Sequence, residues 1–246
     1  MIRIDVRIPT SDGVSQGTLH VPDGEGPWPG VLVFTDIFGP REVFLEMGDR
    51  LAGLGYVALI PDIYYREGDY PAFDTKTAFA DASERNRLFA LARTLSNERV
   101  IADGNDYADF LLARPEVSGT AIGAQGYCMG GRLTLVAAGG MGGKLAAAAS
   151  FHAAGVAVAD DPSSPHQAAD QIRAAVFVAG SAGDPGFTAE QAALLDGALT
   201  AAGVVHTVES WPGGHGFAVR DMPVYDADLD KRHWQALRDL YAERLS

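Results

Sequence analysis

The 246-residue chain has a single cysteine, Cys128, so no internal disulfide can form. Positive charge is also scarce: 19 Lys and Arg stand against 32 Asp and Glu, for a net charge of -13. Nucleic acids and anionic membrane surfaces reward basic patches, so this balance argues against either as a partner. Long apolar runs are missing too. Met1-Ile2-Arg3-Ile4-Asp5-Val6 alternates apolar with charged residues, unlike a secretory signal or a membrane anchor, and cytoplasmic residence is the expectation. The histidines lack the close spacing of a zinc site. Gly139-Gly140-Met141-Gly142-Gly143-Lys144-Leu145 lacks the spacing and final Ser or Thr of a phosphate loop and follows a helical pattern, so it reads as a turn. Neither a metal nor a cofactor is expected. With no repeat, linker or low-complexity tract, residues 1–246 read as one α/β domain, large enough to bury about three quarters of its unfolded surface.

What the chain does have is alternation of strand and helix signals. Ile2, Ile4, Val6 and Ile8 recur with period two, and Gly17 to Val21 follows the Ser11-Asp12-Gly13 turn, which predicts an antiparallel entry hairpin. Later apolar runs are short and nearly continuous: Val31 to Phe34, Tyr56 to Ile60, Ala121 to Ala124, Ala146 to Phe151 and Ala175 to Val178. Such runs suit strands buried on both faces of a parallel sheet. A further strand is expected over Val204 to Val208. Between them, Pro40 is placed in the first turn of a helix with Phe44, Met47, Leu51 and Leu54 on one face and Gly55 as its stop. Thr188-Ala189-Glu190-Gln191 has the capping-box pattern, with Gly203 as the stop, and Trp234, Leu237, Tyr241 and Leu245 share a face of a final helix. The expected architecture is a mostly parallel, doubly wound sheet with an antiparallel N-terminal hairpin.

Cys128 lies in Gly126-Tyr127-Cys128-Met129-Gly130-Gly131, after a strand-like run and before a helix-like one. This is the form of the G-x-S-x-G elbow with Cys at the centre, where small neighbours let the backbone turn tightly. A helix N-terminus beside the sulfur favours the thiolate, and an ordinary thiol of pKa about 8.5 is only slightly ionised at neutral pH. A lone cysteine is more often an inert small hydrophobe, so partners matter. His215, in the loop Trp211-Pro212-Gly213-Gly214-His215-Gly216-Phe217, is the candidate base, with His152 the one serious rival. Asp184, after the Val176 to Gly183 strand and turn, is the candidate orienting carboxylate. The order nucleophile, acid, histidine is that of the α/β-hydrolase triad. For the oxyanion, the candidate donors are the N–H groups of Met129 and Ile37. Asp36 either reaches into the same pocket or caps the following helix.

These residues resemble the dienelactone hydrolase family, α/β-hydrolases with a cysteine nucleophile that open a lactone. The likeness covers nearly the whole chain and is carried by Asp36-Ile37-Phe38-Gly39, Pro61-Asp62-Ile63-Tyr64, the Cys128 elbow, Asp184, and His215-Gly216-Phe217 with Arg220 and Tyr225 beyond. The resemblance implies Cys128 as nucleophile, His215 as base and Asp184 as its carboxylate, acting on a small-molecule lactone or ester. It implies that Asp36, in place of a family Glu one methylene longer, is the candidate for thiol activation. It also implies arginines that hold a substrate carboxylate: Arg220 lies one residue farther from the histidine than in the family, and Arg85 and Arg87 are the nearby candidates for the other, with Tyr64 a further substrate-binding candidate. Two readings of other classes are a redox-sensing thiol, which lacks a resolving cysteine here, and a silent binding module on the same fold. Nothing in the sequence specifies an oligomeric state.

Overall fold

In the computed structural model, which describes residues 1–245, the period-two opening forms β1 (Ile2–Thr10) paired antiparallel with β2 (Gly13–Val21), as expected of the hairpin. There follow β3 (Trp28–Phe34), α1 (Glu42–Gly53), β4 (Val57–Pro61), α2 (Ala82–Ala92), α3 (Asn97–Leu112), β5 (Val117–Tyr127), α4 (Met129–Gly140), β6 (Leu145–Phe151), β7 (Ala175–Ser181), α5 (Ala189–Ala201), β8 (His206–Trp211) and α6 (Ala227–Arg244). One eight-stranded sheet results, in the order β1-β2-β4-β3-β5-β6-β7-β8. From β4 onward every pairing is parallel, so the crossovers are helical and both faces are covered.

Strand alternation explains why the apolar runs are nearly continuous. Leu32 and Phe34 point into the layer built by α3, α4 and α5, while Val31 and Val33 point into the layer of α1 and α6 with Phe44, Leu51, Trp234 and Tyr241. Each side needs its own hydrophobic set, so a strand in the middle has almost no polar position.

The helix ends follow the local signals in most places. Thr188 and Gln191 form the reciprocal capping box of α5. Gly55 and Gly203 take left-handed conformations (φ 89° and 70°) where α1 and α5 stop. Two boundaries differ from expectation. Pro40 lies before α1 rather than in its first turn, because extended Arg41 (φ -160°) is the N-cap and its side chain is committed elsewhere. The last strand starts at His206, since Val204 still closes the α5 turn by bonding to the Leu199 carbonyl and Val205 is exposed. Gly139 and Gly140 belong to the end of α4, with the turn confined to a short 3-10 segment at Gly142–Lys144. Helix α2 carries weak periodicity in the sequence, burying only Leu88 and Leu91. The buried stripe of α3, Val100, Tyr107, Ala108 and Leu111, is interrupted by Asp103, which is buried because Arg66 clamps it at 2.7 Å through two nitrogens.

Sheet register sets the position of the chemistry. Phe34 pairs with Gly126, Tyr127 with Phe151, Phe151 with Ala179, and Ser181 with Trp211. The loops bearing Asp36, Cys128, His152, Asp184 and His215 therefore leave the sheet at one edge, the carboxyl ends of its strands, where open α/β sheets hold ligands. Among the described residues no helix is long and apolar enough to cross a membrane.

Candidate active site

β5 runs into α4 through Cys128, whose φ of 54° is one of two positive values at non-glycine residues among those described. Such a backbone is costly for a residue with a Cβ and persists only where the surroundings enforce it. They do so through glycine. A Cβ at Gly126 would overlap the Gly130 carbonyl, and one at Gly130 would overlap the backbone carbonyls of Phe34 and Thr35. The turn thus nests against the end of β3, and the half-buried Cys128 side chain stands at the mouth of α4. Met129 opens that helix, so its N–H has no acceptor within it.

The Cys128 Sγ lies 2.9 Å from His215 Nε2. On the other side of the ring, His215 Nδ1 lies 2.5 Å from Asp184 Oδ2, while Asp184 Oδ1 accepts the Gly186 N–H at 2.7 Å. With the Nδ1–H donated to the carboxylate, Nε2 is the ring nitrogen that faces the sulfur. Burial works against a charged His215, but hydrogen bonds and charge from Cys128 and Asp184 outweigh it and push the imidazole up to about 9.

His152, the rival histidine, is placed differently. It is buried at φ 40°, and its Nδ1 accepts the backbone N–H of Cys128 at 3.1 Å. Its ring packs edge-on against Phe217 with centroids 5.0 Å apart. Burial first, and then the neighbouring His215 and His233, hold it well below the usual histidine range, so it is a neutral support beneath the elbow. Sequence position after a strand brought it to the right edge but could not reveal that the ring faces the peptide rather than the sulfur.

The loop after β3 carries the second set of groups. Asp36 makes an Asx turn by accepting the Phe38 N–H at 3.0 Å, so it caps its own loop and not α1. Its carboxylate is gripped by Arg41 at 2.7 and 2.8 Å, one oxygen per nitrogen, and Arg41 also binds Asp221 at 2.6 and 2.9 Å. Burial pushes the Asp36 carboxyl up, and Arg41 pulls against that by bonding to the ionised form. Asp36 is hydrogen-bonded to Arg41 and Phe38, while the thiol is engaged by His215. Arg41 and Asp221 gave no signal in the sequence: their pairing spans 180 positions and two loops.

The remaining candidates fall into two groups. Tyr64 is buried and spends its hydroxyl on the Ile37 carbonyl at 2.8 Å, with Met129 Sδ at 3.8 Å, so it braces both loops beside the elbow. The arginines lie elsewhere. Arg220 is 62% exposed and pairs with Glu46 of α1. Arg85 donates to the Phe79 carbonyl, and Arg87 binds Glu84 and the Pro71 carbonyl while covering the Phe73 ring at 3.7 Å. The structure gives these three no contact with Cys128 or His215, because each is consumed by a nearer oxygen. A cavity of about 910 Å³ opens between Phe38, Arg41, Tyr70, Phe73 and the N-terminal strands, with neither Cys128 nor His215 in its lining.

Comparison with known proteins finds relatives along nearly the whole chain. The sequence profile of the dienelactone hydrolase family matches residues 16–245. A protein of Methylorubrum extorquens provisionally named carboxymethylenebutenolidase is 28% identical over 99% of this chain and 81% of its own length. Among solved structures, a provisionally named dienelactone hydrolase of Klebsiella pneumoniae superposes with TM-score 0.83 at 26% identity, covering 98% of both chains. The dienelactone hydrolase-like promiscuous phosphotriesterase P91, from metagenomic libraries, superposes with TM-score 0.77 at 27% identity over the full length of both. From the second strand to the last helix the sequence follows one family's pattern on that family's fold, and the chain belongs to the dienelactone hydrolases, a family of hydrolytic enzymes.

Proposed function

We propose that this hydrolase opens a small lactone or cleaves an activated carboxylic ester through Cys128, His215 and Asp184 and a thioester intermediate. The observation that carries the proposal is the continuous chain from sulfur to carboxylate, 2.9 Å from Cys128 Sγ to His215 Nε2 and 2.5 Å from Nδ1 to Asp184. In the first half-reaction the Cys128 thiolate attacks the carbonyl carbon, and the negative charge moves to the carbonyl oxygen. The N–H groups of Ile37 and Met129 receive that oxyanion. As the intermediate collapses, the C–O bond breaks and the leaving oxygen takes the proton from His215 Nε2. In a lactone that oxygen stays tethered to the acyl group. Water then gives a proton to His215 and adds to the thioester, and collapse returns the thiolate and releases the acid. Asp184 holds the imidazole tautomer throughout, and the sequence of steps uses no cofactor.

A redox-sensing thiol would lack a resolving cysteine here, and a silent binding module has no use for a histidine aligned between thiol and carboxylate, so neither reading accounts for the site as well. The cytoplasm suits the proposal, since a reducing compartment keeps a lone thiol competent. Hydrolysis of p-nitrophenyl acetate and of an uncharged butenolide by the wild type and by Cys128→Ala tests it. A loss of about a thousandfold or more is expected for the variant; equal turnover by the two proteins overturns the assignment.

A further inference from the structure

With Cys128 taken as the nucleophile, the charge of the acyl substrate depends on which cations remain free at the rim of the site. Arg220, Arg85 and Arg87 are engaged away from the sulfur. Arg41 is the cation beside the oxyanion loop, and its guanidinium is fully committed. Nη1 and Nη2 hold Asp36, Nε and Nη2 hold Asp221, and the rings of Phe38 and Phe44 lie 5.4 and 4.9 Å from its central carbon. One positive charge thus serves two carboxyl groups, its remaining N–H points to the Gly39 carbonyl at 3.4 Å, and no donor is left over beside Ile37.

The clamp is also structural. Asp36 belongs to the loop after β3, and Asp221 to the loop that follows His215. Thr75 donates to the Asp221 carbonyl at 3.4 Å, which brings in the segment before α2. Three loops around the elbow are tied to one guanidinium.

We propose that the Asp36-Arg41-Asp221 clamp determines specificity, with Arg41 as a positioning residue: the site accepts uncharged lactones and esters and discriminates against those bearing a carboxylate. A substrate carboxylate would have to displace one of two carboxyl groups already bound to the guanidinium in fork geometry, or lose its hydration beside a cation whose donors are all taken. A cation already satisfied in this way selects against a charged substrate by denying it a partner.

The inference rests on Cys128 being the reacting thiol, so the test reads that thiol by alkylation as well as by turnover. Rates of Cys128 modification by neutral iodoacetamide and by iodoacetate are measured by mass spectrometry and each is divided by its rate with glutathione. Neutralising one carboxylate in Asp221→Asn is expected to raise the iodoacetate rate relative to iodoacetamide about threefold or more. Because a net charge of -13 by itself makes the iodoacetate rate salt-dependent, salt is raised from about 0.02 M to about 0.5 M on wild type and variant together, and the gap between their ratios should narrow. Asp221 is partly exposed, and Asp221→Ser removes the same charge should the asparagine variant fold poorly. In turnover, p-nitrophenyl butyrate is expected to exceed mono-p-nitrophenyl succinate about tenfold or more in kcat/KM, mainly through KM, and Asp221→Asn narrows the gap. A ratio that is the same in wild type and variant at low salt, or a wild-type preference for the succinate ester, overturns the clamp as a specificity device. If neither ester is turned over while the alkylation ratio shifts, the hydrolytic reading falls and the clamp stands.

Discussion

Tyr64→Phe separates the oxyanion loop from the thiol. The substitution removes one oxygen from a fully buried side chain and leaves the ring packing, including its edge contact with Tyr70 at 5.6 Å, in place. What is lost is the 2.8 Å bond to the Ile37 carbonyl, a neutral hydrogen bond in a buried setting. Leaving such an acceptor unpaired costs ~1–3 kcal/mol. The same bond fixes the backbone of the residue whose N–H is proposed to meet the oxyanion. Losing one such donor costs about 10²–10³ in kcat, and a donor merely loosened sets a lower bound near tenfold. Urea denaturation is therefore expected to register a loss of ~1–3 kcal/mol, and kcat on p-nitrophenyl acetate to fall about tenfold or more. Alkylation of Cys128 by iodoacetamide proceeds through no oxyanion, so its rate should match the wild type. An unchanged kcat refutes the bracing role. An equal fall in kcat and in alkylation refutes it as well, because Tyr64 would then act on the thiol itself.

The elbow and the histidine give two further expectations. In Gly126→Ala the new Cβ meets the Gly130 carbonyl, a backbone atom that cannot rotate away; overpacking against backbone costs ~3 kcal/mol or more, and urea denaturation with an activity assay should find a destabilised, nearly inactive protein, whereas a stable and active one contradicts the packing argument. For pH, the His215 value of about 9 lies above the unfolded value near 6.5, so folding stability from this group is fully present below about 6.5 and is lost as pH rises through about 9. The melting-temperature advantage of the wild type over His215→Gln should shrink across that window, and an advantage that grows with pH would contradict the raised value.

Local pattern carried much of the fold into view. The hairpin, the β3 to β7 runs, the α5 capping box and the left-handed stops at Gly55 and Gly203 each depend on a few adjacent residues. The structure agrees with the sequence at these places because steric and hydrogen-bonding rules over short spans suffice. Where buried polar groups interrupt a pattern, the sequence misleads: Asp103 breaks the apolar stripe of α3, and only its pairing with Arg66, 37 positions away, makes the stripe whole. The same holds for Arg41, whose exposed-looking position after Pro40 gives no hint of its two carboxylates.

By itself the sequence determined the elbow, because Gly126, Cys128 and Gly130 are the residue types a tight strand-to-helix turn requires, and it set the order in which Cys128, Asp184 and His215 follow their strands. Only the tertiary structure decided which histidine meets the sulfur and which meets a peptide N–H, and which arginines are free. Those outcomes depend on sheet register and on competition among charges far apart in the chain. A side chain's direction and its nearest oxygen are properties of the folded packing, and a local sequence pattern does not encode them.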